Sequence, residues 1–187
     1  MNERRRQVVW LRDPVEDDAA VHASYPPEAE IVRMYGGMVE HAPMRSLERS
    51  REWVAWLKNH PFGKIVEADG RPVGEVRLHS LAPEDRKARL AIGLFSTEFL
   101  GKGIGRIAIS MTLDHAFGAM GLHRVDLRVL SFNTRAIRCY MACGFVHEGT
   151  EREAALIGGE WHDDWIMGIL SREHDRRGAA FEPSASL

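Results

Sequence analysis

Residues 96–109 read STEFLGKGIGRIAI, and they leave the chain few ways to fold at this point. Gly101, Gly103 and Gly105 stand at alternate positions, with Lys102 between the first two. The apolar run ARLAIGLF precedes them and a helical pattern follows. Three glycines this close weaken both helix and strand, so the segment is a loop that joins a strand to a helix. The helix predicted for 103–120 is apolar at Ile104, Ile107, Ala108, Met111, Phe117 and Met120, and Gly121 is placed to end it. HRVDLRVLSF, rich in β-formers, comes next. Strand, helix and strand in this order predict a crossover, and hence a parallel pair between strand 88–95 and the strand after the helix.

The flanking segments complete a sheet around that unit. QVVWLRDPVEDD reads as a first strand entering a helix, with Asp13, Pro14 and Glu16 set out as a capping box. Short helices are expected over 14–23 and 28–39, parted by Pro26 and Pro27. SLERSREWVAWLKNH predicts a longer helix, capped by Ser46, apolar at Leu47, Val54 and Leu57, and ended by Pro61. GKIVEADGRPVGEVRLHSL gives two strands around an Asp69–Gly70 turn, and with ARLAIGLF makes an antiparallel meander over 64–95. A short helix over 134–142, stopped by Gly144, leads into a closing hairpin in FVHEGTEREAALIGGEWHDDWIMGIL. The expected fold is α/β of the mixed α+β kind. Its central sheet is mixed and mostly antiparallel with one parallel strand pair, flanked by helices, in a single domain over 1–170. The polar tail 171–187, rich in small residues, is expected to be flexible.

Composition removes several classes of function. A formal net charge of −2 gives no reason to expect nucleic acid as a partner, which would favour a strongly basic face. No window approaches the ~18 apolar residues of a membrane span. The basic start MNERRRQVVWLRDP lacks the apolar segment of a signal peptide, so a cytoplasmic protein without membrane partners is expected. Cys139 and Cys143 stand four apart on one predicted helix, with no second Cys/His pair at ligand spacing. They read as reduced thiols, and no metal site is expected.

The glycine loop is an anion site by construction. The first N–H groups of a helix have no partner within it, and the helix dipole favours negative charge there. The spacing is not that of a Walker A loop, because Lys102 is followed by glycine, nor is it G-x-G-x-x-G. A plain tight turn is the other reading. Further on, Asn133 and Tyr140 lie seven residues apart, two helical turns, so both can face one side. Taken alone, Asn133 also suits a helix N-cap and Tyr140 a half-buried aromatic.

Taken together, GLFSTEFLGKGIGRIAI, then NTRAIRCYMACGF and EGTEREA, resemble the GCN5-related N-acetyltransferase superfamily. EIVRMYG and SLERSREWVAWL fit more loosely the branch that contains the ribosomal-protein N-terminal acetyltransferases (RimJ/RimL-like), and the resemblance covers about residues 8–170. It implies an acetyl-CoA-dependent N-acetyltransferase. The backbone amides of Leu100, Gly101, Lys102, Gly103, Ile104, Gly105 and Arg106 would hold the pyrophosphate of coenzyme A, although the superfamily often has Gln or Arg where Leu100 stands. Asn133 would bond the pantetheine arm, Tyr140 would act as general acid to the departing sulfur, and Arg138 could meet a coenzyme A phosphate. If the cofactor pairs along AIGLF, amides around Gly93, Leu94 and Phe95 would face the thioester oxygen. The resemblance also implies pairing of two copies. Direct attack on the thioester needs no covalent enzyme intermediate, so neither cysteine is assigned a role.

The acceptor and the base are less constrained. An amine must lose a proton before it attacks, through a carboxylate, a histidine or a water chain. Glu75, His79, His41 and Glu98 are candidates; Glu75 lies next to the cofactor strand, where the competing reading is a solvent-facing carboxylate. Some relatives carry a Glu five residues before the Asn. Arg128 stands there instead, with Asp126 as a poor substitute. The segments EIVRMYGGMVEHAP, REWVAW and GGEWHDDW offer Met34, Trp53 and Asp164 to the acceptor groove, and Tyr35, His41, Trp56, Trp161 and Asp163 are selected as its contacts. Acidic residues at its mouth would favour a cationic acceptor. A protein or peptide N-terminal amine is the expected substrate. The alternatives are a small amine, such as a polyamine or an aminoglycoside, and a non-catalytic acyl-CoA-binding module.

Overall fold

A computed structural model describes residues 8–174 of the chain. Seven strands form one sheet in the order β1-β2-β3-β4-β5-β7-β6. They are β1 (Val9–Arg12), β2 (Phe62–Ala68), β3 (Arg71–Ala82), β4 (Lys87–Leu94), β5 (Arg124–Leu130), β6 (Val146–Ile157) and β7 (Glu160–Leu170). The helices are α1 (Asp18–Ser24), α2 (Ala29–Met34), α3 (Leu47–Lys58), α4 (Ile104–Phe117) and α5 (Thr134–Cys143). Every neighbouring pair is antiparallel except β4 with β5, the parallel pair that the crossover through α4 requires.

That parallel pair is short. Lys87, Ala88 and Arg89 face Arg124, Val125 and Asp126, and the ladder then stops, while β4 stays paired to β3 as far as Leu94 opposite Gly74. Among the described residues, 90–94 therefore have β3 on one side and no strand on the other, and a wedge opens between β4 and β5. Helix α4 buries Ile104, Ala108, Ile109, Leu113 and Ala116. These join Val66, Val76, Leu78, Val125, Leu127 and Met167 in one core, which fixes the helix against the sheet.

Several boundaries move, each for a physical reason. Helix α1 begins at Asp18, and the capping box expected at 13–16 does not form. Asp13 pairs instead with Lys64 at 2.5 Å. Asp18, only 3% exposed, takes the Val15 amide at 2.8 Å and the Arg12 guanidinium at 2.6 Å, locking the turn before the helix. The helix expected over 28–39 is shorter, stopping at Met34 before Tyr35 and two glycines, with a 3-10 turn at Val39–His41. Ser46 caps α3 as its sequence predicts, accepting from the Arg49 amide at 3.2 Å. Helix α4 stops at Phe117 with Gly118 as its cap, before Gly121, and Ile107 is 37% exposed rather than core.

Residues 171–174, expected in the flexible tail, form a helical turn. The Ser171 amide donates to the His123 carbonyl at 3.0 Å, and His174 meets Asp114 at 2.7 Å. The expectations for 1–7 and 175–187 lie outside the described residues. No described helix is long and apolar enough to cross a membrane.

Candidate active site

The loop between β4 and α4 presents unspent donors. Gly103 is the N-cap of α4 at φ 84°, in the left-handed region that suits glycine. The first helical bond runs from the Ile107 amide to the Gly103 carbonyl at 3.2 Å. The Leu100 amide, expected to face the ligand, is spent on the Thr97 carbonyl at 3.0 Å. Residues 101–106 donate no backbone hydrogen bond among the described residues. A Cβ built at Gly101 or Gly103 would meet nothing within 4 Å, so the space before these amides is open. Gly105 faces the other way: a Cβ there would stand in ordinary contact with Cys139 Sγ, at 3.7 Å. A row of unpaired amides at the head of a 14-residue helix suits a pyrophosphate.

The freed edge of β4 continues the site. The Phe95 amide is turned toward β3, donating to the Val73 carbonyl at 2.9 Å. Strand alternation gives Gly93 the same direction, so Leu94 has the wedge-facing amide of the three. Asn133 caps α5, its Oδ1 accepting from the Ala136 amide at 3.2 Å, which leaves its NH₂ to donate elsewhere. Tyr140 is 8% exposed, stands edge-on to Phe145 at 5.9 Å, and its hydroxyl has no hydrogen bond among the described residues. Burial pushes its pKa up, and the neighbouring Cys139 and Cys143 add to the effect. Arg138 folds back on its own helix, with Nε on the Thr134 carbonyl at 3.2 Å.

A cavity of about 470 Å³ adjoins this stretch of β4, with Glu75, Gly93 and Leu94 in its lining. Glu75 and Gly93 are directly opposite in the β3–β4 register. The Tyr35 hydroxyl sits over Gly93, where a Cβ would stand 2.0 Å from it, and donates to the Ile92 carbonyl at 2.8 Å. A side chain at 93 would displace the Tyr35 hydroxyl from this seat. Glu75, only 8% exposed, is not the solvent-facing carboxylate that its strand position also allowed. Its Oε1 accepts from Arg77 at 2.5 Å, while its Oε2 is buried with no hydrogen-bond partner. Burial raises the Glu75 pKa, and the Arg77 charge opposes the rise.

The cavity wall combines residues far apart in sequence. His22 stacks on Trp53 at 4.1 Å and its Nδ1 meets Ser50 Oγ at 2.9 Å. Burial, then Arg45, lowers its pKa from 6.5 to about 4, so the ring is neutral at pH 7. Tyr35, His41, Trp53 and Arg45 line the same space.

The remaining expected contacts fall elsewhere. Trp56 covers Arg77, whose guanidinium carbon lies 4.7 Å from its ring, and Trp53 lines the cavity in its place. Trp161 is 59% exposed on the β6–β7 hairpin, and Asp163 is tied to the Glu153 amide at 2.8 Å; neither lines the cavity. Of the other candidate bases, His79 bonds Ser80 at 3.0 Å and Glu98 is exposed near Arg71. Asp126 pairs with Arg89 at 2.9 Å, and Arg128 with Glu151 at 2.5 Å. His22 and Arg45 were not selected from the sequence. Nothing local marks them, since only the folded wall brings them to β4.

Residues 9–146 match the family model described as an acetyltransferase (GNAT) domain. A spermidine N(1)-acetyltransferase of Vibrio cholerae is 33% identical over 113 residues, which is 60% of this chain and 65% of that protein. A spermidine N(1)-acetyltransferase of Escherichia coli K12 is 30% identical over 110 residues, 59% of each chain. These matches thus span less than two thirds of the relatives' own length. The crystal structure of spermidine N-acetyltransferase from Vibrio cholerae in complex with CoA and spermine superposes with a TM-score of 0.75 at 26% identity, covering 89% of this chain and 97% of that one.

Proposed function

Because the chain belongs to the GNAT acetyltransferase family, we propose that it moves an acetyl group from acetyl-CoA to the primary amine of a small molecule, by direct attack on the thioester. What supports this is the layout around β4. The strand leaves β5 after Arg89 and runs past a buried, half-unpaired carboxylate into a loop of unspent amides.

Acetyl-CoA supplies an activated acyl group. Residues 101–106 would hold its pyrophosphate through their amides, the Leu94 amide would face the thioester oxygen, and the Asn133 NH₂ would bond the pantetheine arm. Glu75 takes a proton from the amine. An amine with pKa near ~10 gives up that proton more readily to a carboxylate whose own pKa burial has raised. Arg77 keeps the carboxylate from becoming permanently neutral. Tyr140 donates to the sulfur; its raised pKa means that it holds its proton across the working pH range.

The small-amine acceptor replaces the protein N-terminal amine preferred from the sequence. What supports the choice is that two relatives are named for spermidine. Thiol release from acetyl-CoA, measured with polyamines, aminoglycosides and N-terminal peptides side by side, tests the choice. Release with small amines is expected; release with peptides alone would overturn it.

A further inference from the structure

The acceptor cavity holds one charge that acetyl transfer does not use. Arg45, in the segment leading into α3, lines both the inner cavity and a neighbouring outer one of about 560 Å³, so it stands where the two meet. Arg12, Arg77, Arg89 and Arg124, each half-buried as Arg45 is, all hold a carboxylate. Arg45 forms no ion pair among the described residues. Its one hydrogen bond is long, Nη1 to the Tyr25 carbonyl at 3.4 Å, and its guanidinium carbon lies 6.0 Å from the centre of the Phe95 ring. Glu28, an acid near enough to feel this charge, has its carboxylate committed to the Thr97 amide and hydroxyl. Burial accordingly lowers the pKa of Arg45. A guanidinium partly removed from water without a counter-ion has a cost that an anionic ligand would remove, and its fork suits carboxylate and phosphate oxygens.

The rest of the wall points the same way. Among the described residues Glu75 is the only acid lining the inner cavity, while Glu48 and Glu52 line the outer one. Asp163, which at the mouth would have favoured a cationic acceptor, is spent on the β6–β7 hairpin. The cavity therefore offers one carboxylate in its lining and one unpaired guanidinium at its junction with the outer space.

We propose that the acceptor is a small amine that also carries an anionic group, a carboxylate or a phosphate-like group, and that Arg45 holds this anion while the amine faces Glu75. This rests on the small-amine acetyltransferase reading and narrows it. The transfer is unchanged: a C–N bond forms, the thioester C–S bond breaks, the amine loses a proton and the thiolate gains one.

Matched acceptors test it without changing the protein. Straight-chain ω-amino acids, their neutral amides and the diamines of equal length are compared by thiol release from acetyl-CoA. For the best chain length, kcat/KM of the amino acid should exceed that of its amide by about 10- to 100-fold, with the diamine lower still. Arg45→Met should bring the acid-to-amide ratio close to one, and Arg45→Glu should tip preference toward the diamine. Calorimetry with acetyl-CoA shows that each variant keeps its fold and its donor site. A wild-type preference for diamines or polyamines, or a ratio that survives Arg45→Met, overturns this inference while leaving the acetyltransferase intact. No release with any of these amines, in protein that binds acetyl-CoA, overturns the small-amine reading and this inference with it.

Discussion

At Glu75, the proposed base, burial and ionisation are coupled through one neighbour. Desolvation favours the neutral acid, the Arg77 charge favours the carboxylate, and one oxygen is left without a partner. A base must be ionised to act, so the rate rises with pH through its pKa. With that pKa raised, the rising limb of kcat/KM should lie above the ordinary glutamate range of about 4.3. Glu75→Gln should lower kcat about 100-fold and abolish that limb while acetyl-CoA affinity stays the same; an unchanged profile would remove Glu75 from the proton transfer. Tyr140→Phe should likewise reduce turnover and spare cofactor binding. His22 affects stability instead. Its folded pKa of about 4 lies below the ordinary 6.5, so between these values the unfolded chain binds more protons. Stability should therefore fall as pH drops through that window, and a urea series across it should show a flatter slope for His22→Phe. The sequence placed Glu75 beside the cofactor strand but left its face open. Only the register opposite Gly93, under the Tyr35 hydroxyl, decides that it points inward.

The elements that were legible are those whose signals are local. Ser46, three residues before the amide it accepts from, marked the start of α3, and Ser46→Ala should cost about 1 kcal/mol, lowering Tm by about 2–4 °C. The strand–glycine–helix unit was equally plain. Gly103→Val forces a branched side chain into the left-handed region and crowds the amides beside it, so acetyl-CoA affinity should drop at least about tenfold, with a stability loss of about 1–2 kcal/mol. What failed was the start of α1, because the expected cap Asp13 is drawn to Lys64 on β2, a partner no local pattern announces. In α4 the helix itself was clear but its buried face was not. Ile107 is turned partly outward while Ile109 and Leu113 are buried, a choice made by the sheet beneath it.

On the scale of the whole molecule, the proposed function depends on a sheet that is left incomplete. The parallel pairing predicted from the crossover exists, yet it lasts only from Lys87 to Arg89, and this brevity opens the wedge. No sequence pattern gives the length of such a ladder. The same holds for the acceptor cavity, assembled from His22 on α1, Tyr35 after α2, Arg45, Trp53 on α3 and Glu75 on β3. The glycine loop was readable because its pattern is contiguous; the cavity was not, because segments from α1 to β4 make it. The proposed function requires the wedge and its loop as the seat of acetyl-CoA. Calorimetry of the unmodified protein with acetyl-CoA and with S-acetylpantetheine, which lacks the pyrophosphate, tests this directly. One-to-one binding of acetyl-CoA, at least about tenfold tighter than the truncated thioester, is the expected result. No heat with acetyl-CoA, or equal affinity for the two, would contradict it.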